Sequence, residues 1–290
     1  MKLFLYILPL LLFGCTHKPK QVKDPFTEKL KLNDHKLREP QPGEWMYEHH
    51  ENGQTFKQYQ AIKPVSPNQK QNKIYLQPIG KFSEEQIKVI SFTANYLQIF
   101  FGLKTIVSEP ISDNIFPDSA RRILDGSTQL LAPYILGILK KEIPSDAIVV
   151  MAITEKDLYP KPSWNYVFGL ASLKERIGVS SIFRYSEKEI DSSNYSVCLE
   201  RLIKTSSHEI GHMFSIPHCT YAICVMNGSN SLTESDAQPN RLCSQCLSKL
   251  SWNLKFDILK RIKELETYFK KHGLTRDVAN AREDLNLLKE

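Results

Sequence analysis

The residues best suited to chemistry lie in one stretch, residues 207–246, which contains three of the eight histidines and four of the six cysteines. This stretch begins with His208-Glu209-x-x-His212. On a helix, residues four apart share one face and lie about 6 Å apart along the axis, so two imidazoles can reach one metal ion. The pattern is typical of helical zinc sites in peptidases, in which the glutamate acts as the general base.

His218 is a candidate third ligand, because it follows His212 at a short distance along the chain. A straight helix would carry residue 218 away from the metal, so the helix must end and the chain must turn back. Three neutral imidazoles leave one position of a tetrahedral zinc open for water, as a hydrolase needs. Two surface histidines paired by chance would explain the His208–His212 pattern alone, but not the third histidine.

The hydrophobic periodicity predicts the helix that carries this pattern independently of the motif. At about 100° per residue, His208 and His212 lie opposite a mostly apolar stripe, which consists of Leu199, Leu202, Ile203, Ser206, Ile210, Met213 and Phe214. One face of the helix can therefore pack against a sheet while the other lines a cleft. The polar residues 191–194 supply candidate N-caps.

Four cysteines form a second candidate metal site. They fall into two closely spaced pairs, Cys219 with Cys224 and Cys243 with Cys246. Such spacing suits a closed tetrahedral four-cysteine site. The alternative is a pair of disulfides, which an exported protein could form. Met226 lies shortly after Cys224, where a tight turn would place its side chain under the histidines.

These motifs, HEIGHMFSIPHC followed by CVM and CSQC, resemble the archaemetzincins, zinc metallopeptidases of the metzincin clan with an additional zinc held by four cysteines. The resemblance covers residues 44–268 and includes EWMYEHHENGQTFKQY, IYLQPIG and DLYPKPSWNYVFGLASL. It implies an α+β fold in which a twisted mixed sheet and the active-site helix lie above the cleft. A C-terminal part bound by the four-cysteine zinc site lies below it.

Residue by residue, the resemblance implies two Zn²⁺ ions with different roles. The catalytic zinc is expected at His208, His212 and His218, with Glu209 as general base and Met226 in the Met-turn. The structural zinc is expected at Cys219, Cys224, Cys243 and Cys246.

One position departs from the family pattern, because Ser215 stands where the family has glycine. If the chain turns there, residue 215 must adopt a positive φ, which glycine takes freely and a residue with a Cβ does not. We therefore expect Ser215→Gly to stabilise the protein slightly.

The N-terminus resembles a bacterial lipoprotein signal. Lys2 precedes an apolar segment too short to span a bilayer, and that segment ends at Leu12-Phe13-Gly14-Cys15. The resemblance implies removal of residues 1–14 and a lipid on Cys15, which would anchor the chain to a membrane of the bacterial cell envelope. The alternative is an ordinary secretory signal. The net charge of +6 is spread without a basic block, which disfavours nucleic-acid binding.

The rest of the chain is predicted as follows. Residues 15–43 form a lipidated N-terminus and linker, residues 44–272 form the catalytic domain, and residues 273–290 form a C-terminal helix. Strands are predicted at residues 73–80, 103–107, 147–153 and 177–185. The resemblance implies that the last of them is the cleft edge, which binds extended peptide. Helices are predicted from Ser83 to Gly102 and over residues 127–139. Trp164 and Phe168 are assigned to the core, and His49 and His50 to the surface.

The predicted function is hydrolysis of peptide bonds by zinc-activated water with Glu209 as the base. Two alternatives remain open. A zinc-stabilised binding or scaffold lipoprotein that has lost catalysis would explain Ser215, and a surface protein that carries zinc would use the same histidines and cysteines. The intact Glu209 and a closed four-cysteine site argue against both.

Overall fold

A five-stranded mixed sheet forms the centre of the fold, with strand order β2-β1-β5-β8-β7. A computed structural model describes residues 24–186 and 188–289, so Cys15 and the predicted signal lie outside the described residues. The strands are β1 Lys73–Ile79, β2 Thr105–Val107, β3 Arg121–Leu124, β4 Ser127–Leu131, β5 Ala147–Thr154, β6 Asp157–Tyr159, β7 Gly169–Ser172 and β8 Ile177–Ser181. The fold class predicted from the sequence is confirmed.

Helices cover both the sheet and the lower part of the molecule. They are α1 Pro25–Leu30, α2 Trp45–Glu48, α3 Phe56–Ala61, α4 Glu84–Phe101, α5 Ala132–Lys141, α6 Tyr195–Met213, α7 Leu232–Ala237, α8 Ser244–Leu254, α9 Ile258–Lys271 and α10 Thr275–Lys289. No helix in the described part of the chain is long and apolar enough to cross a membrane.

The apolar run at residues 147–154 forms the central strand β5, in which all eight residues are buried. Strand β5 pairs in parallel with β1 on one side and with β8 on the other. Strand β7 runs antiparallel to β8 at the end of the sheet. The prediction that the strand preceding the active-site helix forms the edge is therefore wrong: β8 is internal, and β7 is the edge.

Helix α4 connects β1 to β2, because parallel strands need a crossover. Its start is the capping box predicted from the sequence: Ser83 Oγ accepts from Gln86 N, and the Gln86 side chain accepts in turn from Ser83 N. Its end is Gly102, whose φ of 66° is the left-handed conformation that glycine takes without cost. Helix α4 packs its buried face against α6.

Residues 127–139 differ from the predicted single helix. Strand β4 occupies the first part of this range, pairing with β3 and β6 in a second, three-stranded sheet, and α5 follows with Pro133 in its first turn. The β3–β4 hairpin turns at Asp125-Gly126, where both residues have positive φ. An Asp-Gly pair between apolar segments is a strong hairpin signal, which the helical periodicity concealed.

Residues 25–33 are helical and packed, where their composition predicts an extended linker. Leu30 is fully buried, and α1 contacts α8 and α10. The Asp34 carboxylate accepts from the backbone N of Ser244 at 3.0 Å, at the start of α8, and pairs with Arg241 at 3.3 Å. A few anchoring residues thus attach a segment whose overall composition is polar.

Candidate active site

Helix α6 ends in a turn that reverses the chain at Ser215. Ser215 N donates to His212 O at 2.8 Å and Ile216 N to Gly211 O at 3.1 Å. These two bonds form a Schellman motif. Ser215 has a φ of 69°, the positive value expected from the sequence. Its hydroxyl accepts a hydrogen bond from Val65 N at 3.3 Å, so this serine has acquired a partner that glycine lacks.

The turn brings His208, His212 and His218 together. One ring nitrogen from each lies within 4.8 Å of the others. His208 Nδ1 contacts Val225 O at 2.8 Å and His212 Nδ1 contacts Ile216 O at 2.7 Å. Because a carbonyl oxygen only accepts, both Nδ1 atoms must donate, which leaves a lone pair on each Nε2.

The arrangement of these lone pairs fits a bound cation. The Nε2 atoms of His208 and His212 lie 2.9 Å apart, where two lone pairs repel each other unless a positive ion attracts both. Burial lowers the pKa of His212 to about 4 and that of His208 well below its ordinary value, so both rings are neutral near pH 7. Three neutral imidazoles form a donor set that zinc prefers.

Glu209 lies against the edge strand of the sheet. A Cβ placed on Gly169 of β7 would be 2.9 Å from Glu209 Oε1 and 3.0 Å from Val179 O. Burial raises the pKa of Glu209 to about 8. A nearby divalent cation would favour the ionised carboxylate and oppose this rise.

Met226 is fully buried against α6. A Cβ on Gly211 would be 2.5 Å from Met226 Sδ, so the helix approaches this side chain only because residue 211 is glycine. The loop is closed by Cys219 N, which donates to Met226 O at 2.7 Å. The glycine inside the HEIGH sequence therefore has a packing role that the motif alone does not reveal.

The four cysteines also converge. Their sulfur atoms lie within 4.8 Å of one another, and the described cysteines are all free. The Sγ atoms of Cys219 and Cys243 are 3.6 Å apart, well beyond a disulfide bond. Burial raises the pKa of the Cys224 thiol well above its ordinary value. A bound metal ion would stabilise the thiolates, and four sulfurs fit a closed zinc site.

The three histidines and Glu209 line a cavity of about 390 Å³. Strand β7 forms one wall, and the loop after Met226 forms the other. Trp164, which the sequence assigned to the core, is 43% exposed and lines this cavity instead. Phe168 packs against the core and also lines the cavity, so its assignment holds in part.

Two site residues lie in the N-terminal segment and were missed from the sequence. The indole of Trp45 packs against His218 with ring centroids 4.8 Å apart, and the Glu51 carboxylate accepts from His218 Nδ1 at 2.9 Å. His49, assigned to the surface, is half-buried against Trp45 with ring centroids 4.1 Å apart. No spacing rule connects these residues to the HExxH motif, so only the resemblance around residue 44 indicated that this segment packs on the domain.

Comparisons with known proteins agree with this geometry. The model of peptidase family M54 matches residues 129–252. The chain is 36% identical over 260 residues to archaemetzincin-2 of Homo sapiens, covering 77% of this chain and 71% of that protein. It is 32% identical over 187 residues to the archaemetzincin of Thermococcus kodakarensis, covering 63% of this chain and 97% of the relative. The chain belongs to the archaemetzincin family.

A solved archaemetzincin structure supports the same fold. The structure from Methanopyrus kandleri superposes with a TM-score of 0.53 at 28% identity, over 66% of this chain and 99% of that one. Because the chain belongs to this family, it is a zinc metallopeptidase. The segment matched by the family model contains the three histidines and the four cysteines, whereas Trp45 and Glu51 precede it.

Proposed function

We propose that this archaemetzincin hydrolyses peptide bonds with a zinc ion at His208, His212 and His218. The observation that supports this most strongly is the distance of 2.9 Å between the Nε2 atoms of His208 and His212, each of which carries a lone pair. His218 lies beside them. Zinc bound there would act as a Lewis acid and lower the pKa of a bound water towards about 7.

Glu209 is proposed as the general base. Its carboxylate follows the first histidine and lies against β7, so it is next to any water or peptide held in the cleft. It would accept a proton from the attacking water and donate it to the leaving amine. The outer edge of β7 would hold the substrate in an extended conformation by main-chain hydrogen bonds.

A second zinc is proposed at Cys219, Cys224, Cys243 and Cys246, where it would be structural. Three backbone N–H groups point at the sulfurs of this site, from Met226 and Cys243 to Cys224 Sγ and from Cys246 to Cys243 Sγ, at 3.3 to 3.5 Å. Such donors favour thiolates, and four protein ligands leave no open position for water. The predicted total is two Zn²⁺ ions per chain.

The proposed location is the bacterial cell envelope, with a lipid on Cys15. The support is the Leu12–Cys15 pattern after an apolar segment. The first described residue is Asp24. Nine Cα–Cα steps separate Cys15 from Asp24, so these two residues can lie at most about 32 Å apart. Because α1 packs on the domain, an anchored catalytic domain would lie close to the membrane surface.

The test of the proposed activity is Glu209→Gln. This variant should retain the metal content and thermal midpoint of the wild type, and it should cleave a peptide library about 10²–10⁴-fold more slowly. The wild type should cleave library peptides in a zinc-dependent manner. If the wild type with zinc at the histidines cleaves nothing, the scaffold alternative replaces this proposal. If Glu209→Gln cleaves as fast as the wild type, Glu209 is not the base.

A further inference from the structure

The three zinc-binding histidines are oriented by unequal partners. His208 and His212 donate through Nδ1 to backbone carbonyls, those of Val225 and Ile216. His218 Nδ1 instead lies 2.9 and 3.0 Å from the two carboxylate oxygens of Glu51. A carboxylate is a stronger acceptor than a carbonyl because it is charged. His218 is also the histidine that lies beyond the helix, where α6 itself no longer fixes its orientation.

We propose that Glu51 is a positioning residue of the catalytic zinc site, which fixes the tautomer and orientation of His218. When Glu51 accepts from Nδ1, the lone pair of His218 lies on Nε2, as it does in His208 and His212. Carboxylate–histidine pairs of this kind raise the basicity of the ligand and typically contribute 10–100-fold to metal affinity. The proposal rests on the assignment of the three histidines as zinc ligands.

The segment that carries Glu51 is attached to the elements around His218, which are the turn at Ser215, the loop after Met226 and helix α7. Trp45 N donates to Glu234 Oε1 at 3.0 Å, and Gln54 Nε2 donates to Ser215 O at 3.3 Å. A Cβ on Gly228 would overlap the Trp45 indole, so the segment that carries Glu51 also lies directly on the loop after Met226. Glu51 is thus held between two fixed points, in contact with a residue 167 positions later in the chain.

The contact between Glu51 and His218 is partly shielded from solvent, more at the histidine than at the carboxylate. The side chain of His218 is 16% exposed and that of Glu51 is 32% exposed. The indole of Trp45 covers one side of the imidazole, at an angle of 72° between the ring planes. Water therefore competes with Glu51 for Nδ1 less than it would at an open surface. Loss of the carboxylate would leave the ring free to rotate or to bind a water instead.

The experiment measures zinc affinity at the histidine site in the full-length chain, by competition with a chelating dye. His212→Ala, which lacks this site, identifies the signal of histidine-bound zinc and separates it from the cysteine-bound zinc. Glu51→Ala should weaken the histidine-bound zinc by 10–100-fold and leave the cysteine-bound zinc unchanged. Glu51→Gln keeps an acceptor oxygen but loses the charge, so its affinity should lie between those of Glu51→Ala and the wild type.

The matched control is Glu48→Ala in the same segment. Glu48 accepts from Gly43 N at 3.1 Å and does not belong to the His218 contact, so its removal should leave both zinc affinities within twofold. The proposal is overturned if Glu51→Ala binds zinc within twofold of the wild type, or if Glu48→Ala weakens it equally. A wild type with no histidine-bound zinc would overturn the proposed function as well, whereas an unchanged Glu51→Ala would overturn only this inference.

Discussion

The clearest quantitative prediction concerns Ser215, because the structure supplies two opposing contributions at one residue. The positive φ of 69° penalises any side chain with a Cβ by on the order of 1 kcal/mol relative to glycine. The hydrogen bond from Val65 N to Ser215 Oγ, at 3.3 Å, stabilises the wild type by roughly 0.5–1.5 kcal/mol. The two contributions nearly cancel.

Two substitutions separate these contributions. Ser215→Ala removes the hydrogen bond and retains the Cβ, so it should lower the free energy of unfolding by about 1 kcal/mol. Ser215→Gly removes both and should lie within about 0.5 kcal/mol of the wild type. The structure therefore replaces the slight stabilisation expected from the sequence alone with a near-neutral result. The more informative quantity is the difference between the two variants, about 1 kcal/mol in favour of glycine.

Urea unfolding of the zinc-saturated chain measures this difference, and thermal midpoints provide a second readout. A change of 1 kcal/mol corresponds to about 2–4 °C for a domain of this general size. Zinc analysis should give the same content for the wild type and both variants. If Ser215→Gly proves less stable than Ser215→Ala, residue 215 does not have a positive φ in solution. If Ser215→Ala matches the wild type, the Val65 hydrogen bond contributes nothing.

Three further predictions follow from other parts of the molecule. Cys243→Ser should remove one of two zinc ions and lower the thermal midpoint, since a structural zinc contributes to folding; disulfide-bonded, metal-free cysteines in the wild type would contradict this. Gly169→Ala should leave the zinc content unchanged but lower kcat/KM at least tenfold, because its Cβ would lie 2.9 Å from Glu209 Oε1 and displace the proposed general base; activity equal to the wild type would contradict this role of Glu209 against β7. Cys15→Ser should release the chain from membranes or leave it unprocessed, and a wild type that partitions into the aqueous phase of a detergent extraction would refute lipid anchoring.

The convergence of the three histidines was predictable because local geometry fixes their positions. His208 and His212 are one helical turn apart, and the turn at Ser215 returns His218 within a few residues. Cys219 follows His218 directly, so one loop contributes a residue to the histidine group and a residue to the cysteine group. Helical periodicity and the spacing of residues along the chain predict such short-range contacts well.

The edge of the cleft was mispredicted because chain order does not determine strand order. Strand β8 immediately precedes α6 in the sequence, but β7 pairs with its outer side and becomes the edge. A short strand such as β7, whose residues are all half-buried, has no alternation that would reveal its position. Strand β4 was missed for a different reason: its apolar residues continue without interruption into α5, so the whole stretch has a helical periodicity.

The N-terminal segment shows the limit of composition as evidence. The polar composition of residues 15–43 predicts a linker, yet Asp34 accepts from the start of α8. Further along, composition does not reveal that Glu51 accepts from His218. Each contact is one charged side chain meeting a donor more than 150 positions away, and a charged residue in a sequence does not show whether water or protein is its partner. The acidic residues of this segment thus do two different things. Asp34 attaches the segment to the start of α8 in the lower part of the molecule. Glu51, held between Trp45 and Gln54, places its carboxylate against His218, which lies beyond the end of α6.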